Sequence, residues 1–185
     1  MIEARRVVRW TISLVLIAVL AWLAWQVSVR RSNRVVALPA APDSVGAGVR
    51  AVRLYFASSD GDSLIAEPRE LVESASLHDR VTMLIAELDR GPRGRGVAAL
   101  PAGTSVLHAY LDERGLLTLD LSGAFRQGFR GGSSAEYLAI ASLMRTLGAN
   151  LPEVHRVLIV CAGRPLATLG GHLPLDRPLD VSDWP

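Results

Sequence analysis

Three segments set the fold class: Leu116-Leu117-Thr118-Leu119-Asp120-Leu121, then Tyr137-Leu138-Ala139-Ile140-Ala141, then Val157-Leu158-Ile159-Val160-Cys161. In the first, Leu117, Leu119 and Leu121 point one way while Thr118 and Asp120 point the other, the two-residue period of a strand. Asp112-Glu113-Arg114-Gly115 joins it as a hairpin to the run Ser105 to Leu111. The second lies in a helix whose apolar stripe is Tyr137, Ile140, Ala141, Met144 and Leu147. Ser133 is the expected N-cap, Glu136 completes a capping box, and Gly148 with Pro152 marks the expected end. The third is apolar throughout, as suits a strand covered by helix on at least one face.

Working outward, Val52 to Ala57 is a strand closed by the turn Ser58-Ser59-Asp60-Gly61-Asp62. Leu64 to Val72 pairs with it, and Pro68 confines that run to an edge. Ser76 and Asp79 form a second capping box before a helix whose face is Val81, Leu84, Ile85 and Leu88, stopped by Gly91-Pro92. Beyond Cys161, Ala162-Gly163-Arg164-Pro165 turns the chain back toward Leu166 to Leu169. The order ββαββαβ predicts one α+β domain over residues 49–185, a mixed sheet with two helices packed on one face.

The rest of the chain has another character. Residues 10–29 hold no ionisable side chain, with Trp10 at one boundary and Trp22 and Trp25 toward the other. A helix of twenty residues spans about 30 Å, the hydrocarbon thickness of a bilayer. A cleaved signal peptide would have a shorter apolar region and a small-x-small site; here arginines follow, and no cysteine offers a lipid anchor. The reading is a short tail (1–9), a transmembrane helix (10–29), a flexible linker (30–48) rich in Pro, Gly and small residues, and the domain (49–185). Three arginines flank each end of the helix, so charge alone does not orient it. A short N-terminal tail retained in the cytoplasm places the domain outside.

Charge, divided by region, argues against a nucleic-acid partner. Residues 1–34 carry six arginines against one glutamate, +5, whereas residues 49–185 carry 14 arginines against 16 acids, −2. The pI of about 9.2 therefore belongs to the flanks of the apolar segment, facing headgroups. Every basic residue is arginine. Cys161 is the only cysteine, which excludes an intrachain disulfide, and its apolar surroundings predict a buried small hydrophobe.

No catalytic constellation is legible. His78, His108, His155 and His172 stand in four different elements, without metal-ligand spacing. Asp60-Gly61-Asp62 lacks the later ligands of a calcium loop, and Gly91 to Gly96 lacks the end of a phosphate loop. No Gly-x-Ser-x-Gly elbow occurs. Neither a metal nor a cofactor is expected. Arg93 and Arg95 in the glycine-rich loop, Gly131 and Gly132 before the second helix, and His172 after the last strand are the candidate interaction surface.

Several ordered pieces resemble the GerMN domain, named after a spore germination and sporulation protein. They are Val52-Arg53-Leu54-Tyr55-Phe56, Leu88-Asp89-Arg90-Gly91-Pro92, Leu100-Pro101-Ala102-Gly103-Thr104, Leu119-Asp120-Leu121-Ser122 with Phe125, Gly131-Gly132-Ser133 with Glu136, Thr146-Leu147, Pro152 with Val154 and Val157, and Thr168-Leu169-Gly170-Gly171-His172. Their order and spacing are specific where no single piece is, and they cover Val52 to Leu179. The resemblance implies an extracytoplasmic domain on a membrane or lipid anchor, related to ring-building modules of sporulation channels, with no known catalytic residue. Members also occur in bacteria that do not sporulate. This chain departs in having a helix in place of a lipid anchor, one domain copy, and Ala162 where Asp or Asn is common before the glycine. The expected role is a non-enzymatic module of the cell envelope, anchored by residues 10–29, that binds an envelope protein or itself. Binding of peptidoglycan or another envelope glycan is the alternative, and a hydrolase with an unrecognised site the third.

Overall fold

β1 (Val49–Ala57) and β2 (Leu64–Val72) pair antiparallel from Val49↔Val72 to Ala57↔Leu64. The computed structural model describes residues 48–184, which belong to one compact unit. Then come α1 (Leu77–Arg90), β3 (Val106–Leu111), β4 (Leu116–Leu121), the short α2 (Gly123–Gln127), α3 (Ser133–Asn150), β5 (Arg156–Cys161), β6 (Arg164–Pro165) and β7 (Leu179–Asp180). The anchor and linker readings, residues 1–47, lie outside the described residues. Among the described residues no helix is long and apolar enough to cross a membrane.

The expected order of strands and helices is present, but not as one sheet. β1 and β2 form a two-stranded sheet, and β3-β4-β5-β6, with β7 also on β5, form a five-stranded one. β4 and β5 run parallel, Leu117 beside Val157 and Leu119 beside Ile159. That geometry requires a long crossover, which α2 and α3 supply. Leu117, Leu119 and Leu121 of β4 and Val157, Ile159 and Cys161 of β5 pack inward, Leu117, Leu119 and Val157 being fully buried.

The separation into two sheets follows from α3. Apart from its first turn and one flank it is buried around its circumference, including the polar residues Glu136, Ser142, Thr146 and Asn150. Ile140, Leu143, Met144 and Leu147 enter the core with the five-stranded sheet. Ser142, Thr146 and Asn150, spaced at i, i+4, i+8, form a polar stripe facing β1. Asn150 accepts from the Arg53 amide (2.9 Å) and donates to the Arg53 carbonyl (2.7 Å). Thr146 Oγ1 accepts from the Tyr55 amide (3.2 Å), and Ser142 Oγ donates to the Tyr55 carbonyl (2.5 Å). Four helical residues rise about 6 Å and two strand residues about 6.6 Å, so the stripe keeps step with alternate β1 residues, Asn150 meeting Arg53 while Thr146 and Ser142 share Tyr55. The helix side chains thus stand where another strand would, and the β1 edge is closed. Pro68 fits opposite Arg53, where backbone groups face away from the partner strand and no ladder bond is lost.

Three expectations need correction at helix ends. Ser76 caps α1 by accepting from the Asp79 amide, but the Asp79 carboxylate accepts from Ser74. The α3 N-cap is Gly132, with no side-chain cap bond, so Ser133 is the first helical residue. Helix α3 also passes through Gly148 to Asn150. That glycine is there for packing: a Cβ would collide with the Val181 side chain. Tyr137 is half exposed and outside the buried stripe, because its face of α3 meets the C-terminal segment rather than the core. The expected return toward Leu169 is short, since only Arg164 and Pro165 pair with β5.

Candidate functional site

Two of the sequence pieces meet at the first turn of α3. Glu136, fully buried, sends its carboxylate to the loop after β6 instead of to its own helix end. It accepts from the amides of Leu169 (2.9 Å), Gly170 (2.8 Å) and His172 (2.8 Å), with His172 Nδ1 at 3.0 Å. Burial pushes this carboxyl up, but the Gly170 and His172 amides, the His172 ring and the Leu169 amide outweigh it and hold it below the usual glutamate range. Gly170 is required by close approach: a Cβ there would lie 2.6 Å from the Phe129 ring. Gly131, Gly132 and His172 therefore gather around this turn, all exposed.

Beside that turn lies an open groove, and its origin is the α3–β1 seam. The stripe that carries Asn150, Thr146 and Ser142 continues at i−4 spacing to Leu138 and Ser134, but β1 ends at Ala57. Leu138 has no hydrogen-bonding group to offer, and the Ala57 carbonyl instead accepts from the Val97 amide (2.8 Å). Strand and helix part there. One hollow of about 450 Å³ runs between Ala57, Val97, Phe129 and Leu138. A second, of about 420 Å³, adjoins it through Gly61, Ser134 and Leu138 and reaches Asp62, Ser133 and Tyr137.

The groove has a mixed wall. Tyr137 is 50% exposed and packs against Trp184, ring centres 5.2 Å apart at 33°. Asp60 and Asp62 stand on the opposite turn, where the Ser58 hydroxyl is the largest of the groups holding the Asp60 carboxyl below its usual range. Arg130, an exposed residue, lines the first hollow, its guanidinium donating to the Gln127 and Phe129 carbonyls (2.7 Å each). Another hollow, of about 80 Å³ beside Arg50 and Asn150, is room for water only.

Arg93 and Arg95 sit apart from this cluster, on the loop after α1. Glu67 fixes the loop by accepting from the amides of Arg93 (3.1 Å) and Gly94 (3.1 Å). Both arginine side chains are exposed, Arg93 lying 3.8 Å from Glu87. Beneath them is Arg69, a buried arginine that the sequence reading passed over. It pairs with Glu87 (2.5 Å) and Glu67 (2.7 Å), donates to the Gly91 carbonyl (2.7 Å) and lies over the Phe56 ring. The available signal was the alternation of β2, which sets Glu67 and Arg69 on one face next to Pro68. The four histidines are exposed, Cys161 is buried, and no group of three metal-ligating side chains converges among the described residues.

With the geometry in view, the chain can be set beside known proteins. No curated protein matches it in sequence. A Clostridium perfringens chain assigned as a lipoprotein shares the fold at 20% identity and TM-score 0.52, over 74% of this chain and 90% of that one. The tandem GerMN domains of the Bacillus subtilis sporulation protein GerM superimpose at TM-score 0.58 and 20% identity, over 74% of this chain and 48% of the tandem. The first of those domains alone gives 0.56 and 20%, over 71% of this chain and 97% of the domain. One domain's worth of matching chain agrees with a single copy. Residues 53–167 match the family model Germane, described as sporulation and spore germination, and the chain belongs to that family.

Proposed function

We propose that this chain is a non-enzymatic module of the cell envelope, held at the membrane by residues 10–29, whose extracytoplasmic domain docks onto an envelope protein or a second copy. The observation that carries the reading is how the buried charged groups are used. Glu136 holds three amides, Asp120 accepts from the Gly163 amide (3.0 Å), and Arg69 is enclosed by Glu67 and Glu87. These groups brace loops. A general acid or base needs a free functional atom facing a ligand, and each of these is already engaged.

The family and the lipoprotein assignment of the Clostridium chain support placement outside the cytoplasm, as does the apolar run 10–29. Tethering suits a docking role because confinement raises effective concentration without adding contacts. The test is site-specific photo-crosslinking of the full-length chain in native membranes, from Arg93, Arg95 and His172 in turn. The expected result is a discrete adduct with an envelope protein or a second copy. Absence of any adduct from all three, with a monomer in detergent, overturns the reading.

A further inference from the structure

We propose that the groove between the Ser58–Asp62 turn and the first turns of α3 binds a glycan chain, with Tyr137 as its stacking platform and Asp62, Ser133 and Ser134 as hydrogen-bonding partners. This goes beyond the protein-docking reading and does not depend on it.

Four observations carry it. The two adjoining hollows, of about 450 and 420 Å³, are each of ligand size. Tyr137 presents a half-exposed ring braced by Trp184, so its face is held in place before a ligand arrives. A sugar ring has an apolar C–H face that lies on an aromatic ring and equatorial hydroxyls that bond outward, so it suits an aromatic floor beside carboxylates and serines. The lining carries both signs, Asp60 and Asp62 against Arg130, for a net −1, which suits a neutral, hydroxyl-rich ligand over a strongly anionic one.

The same geometry disfavours an extended peptide. Such a peptide gains affinity by adding to a free strand edge. The edge nearest the groove is occupied: Thr146 and Ser142 hold the Tyr55 amide and carbonyl, and Val97 holds the Ala57 carbonyl. The low aromatic content of the whole sequence, 5%, argues against a sugar site. The fold answers that objection by bringing Phe129 and Tyr137 to adjoining parts of one groove, with Trp184 packed against Tyr137.

The test titrates full-length protein in detergent with N-acetylchitohexaose, and separately with a synthetic wall stem peptide. Saturable binding of the hexaose is expected. Tyr137→Phe keeps the ring and leaves the affinity within about twofold, whereas Tyr137→Ala weakens it about tenfold, the scale of one aromatic stacking contact. Ser134→Trp, at an exposed position away from the Tyr137–Trp184 contact, fills the groove and abolishes binding; it decides the matter should Tyr137→Ala destabilise the fold. No saturable hexaose binding, binding unchanged by Ser134→Trp, or binding of the stem peptide alone would each overturn the proposal.

Discussion

Helix α3 has two long flanks held in opposite ways. One flank is apolar, with Ile140, Leu143, Met144 and Leu147 in the same buried core as Leu117, Leu119 and Val157 of the five-stranded sheet. Toward the hairpin the helix is polar, with Asn150, Thr146 and Ser142 bonded to the β1 backbone. The apolar flank supplies most of the stability, since burial is non-directional and scales with area. The polar flank supplies register, because each side chain meets particular β1 amides or carbonyls, Asn150 one of each, and a slip of one strand residue would leave buried groups unpaired. The groove opens where the second device ends, at Leu138.

Breaking each flank should separate the two contributions. Leu119→Ala in β4 empties a fully buried site and should cost about 3–4 kcal/mol in global stability by denaturant titration. Asn150→Ala should cost less, about 2–3 kcal/mol, through the unpaired Arg53 amide and carbonyl. Its signature is local: hydrogen exchange should speed at β1 more than at β4. Equal acceleration in both strands would mean that the polar flank carries no separate register function.

Glu136 sharpens the comparison, being a polar anchor that lies off that stripe. Its folded-state pKa is depressed, so the stability it contributes is present above its ordinary value of about 4.5 and is lost as pH falls below that. Glu136→Gln should cost about 2 kcal/mol at pH 7, because the new NH2 group faces amide donors. The gap between wild type and variant should narrow on acidification toward pH 3, as followed by thermal melts. A pH-independent gap would show that the carboxylate's charge is not what holds the 169–172 loop.

The smallest effect expected is a gain. Ala162 and Gly163 have φ of +51° and +72° in the two-residue turn between β5 and β6. Such turns favour Asn-Gly, and alanine is strained there. Ala162→Asn should raise stability by about 0.5–1 kcal/mol, read as a higher midpoint without change in slope. No gain would mean that the turn's strain is relieved elsewhere.

The hairpins, the parallel-sheet core strand and both long helices are legible in the sequence, because two- and 3.6-residue periodicity is local. Division into two sheets is not, since the polar stripe of α3 reads as ordinary helix composition until β1 lies beside it. The same holds at Glu136: its spacing from Ser133 suits a capping box, and only the arrival of residues 169–172 offers it better donors. Of the candidate surface, Gly131, Gly132 and His172 converge, while Arg93 and Arg95 stand on a different loop. The groove left no trace in the sequence, because its lining comes from four separated segments, 57–62, 97–101, 128–130 and 133–138.

By itself, then, the sequence determined element types, the charge division between residues 1–34 and the domain, and the family to which its ordered pieces belong. The tertiary structure alone decided which pieces touch. Leu88-Asp89-Arg90-Gly91-Pro92 meets Leu100 to Thr104 through Asp89, whose carboxylate accepts from the Gly103 and Thr104 amides. Gly131 to Glu136 likewise meets Leu169 to His172 through Glu136. The physical reason is the range of each effect: propensity and periodicity act within a few residues, whereas a buried carboxylate takes the amides that folding brings to it.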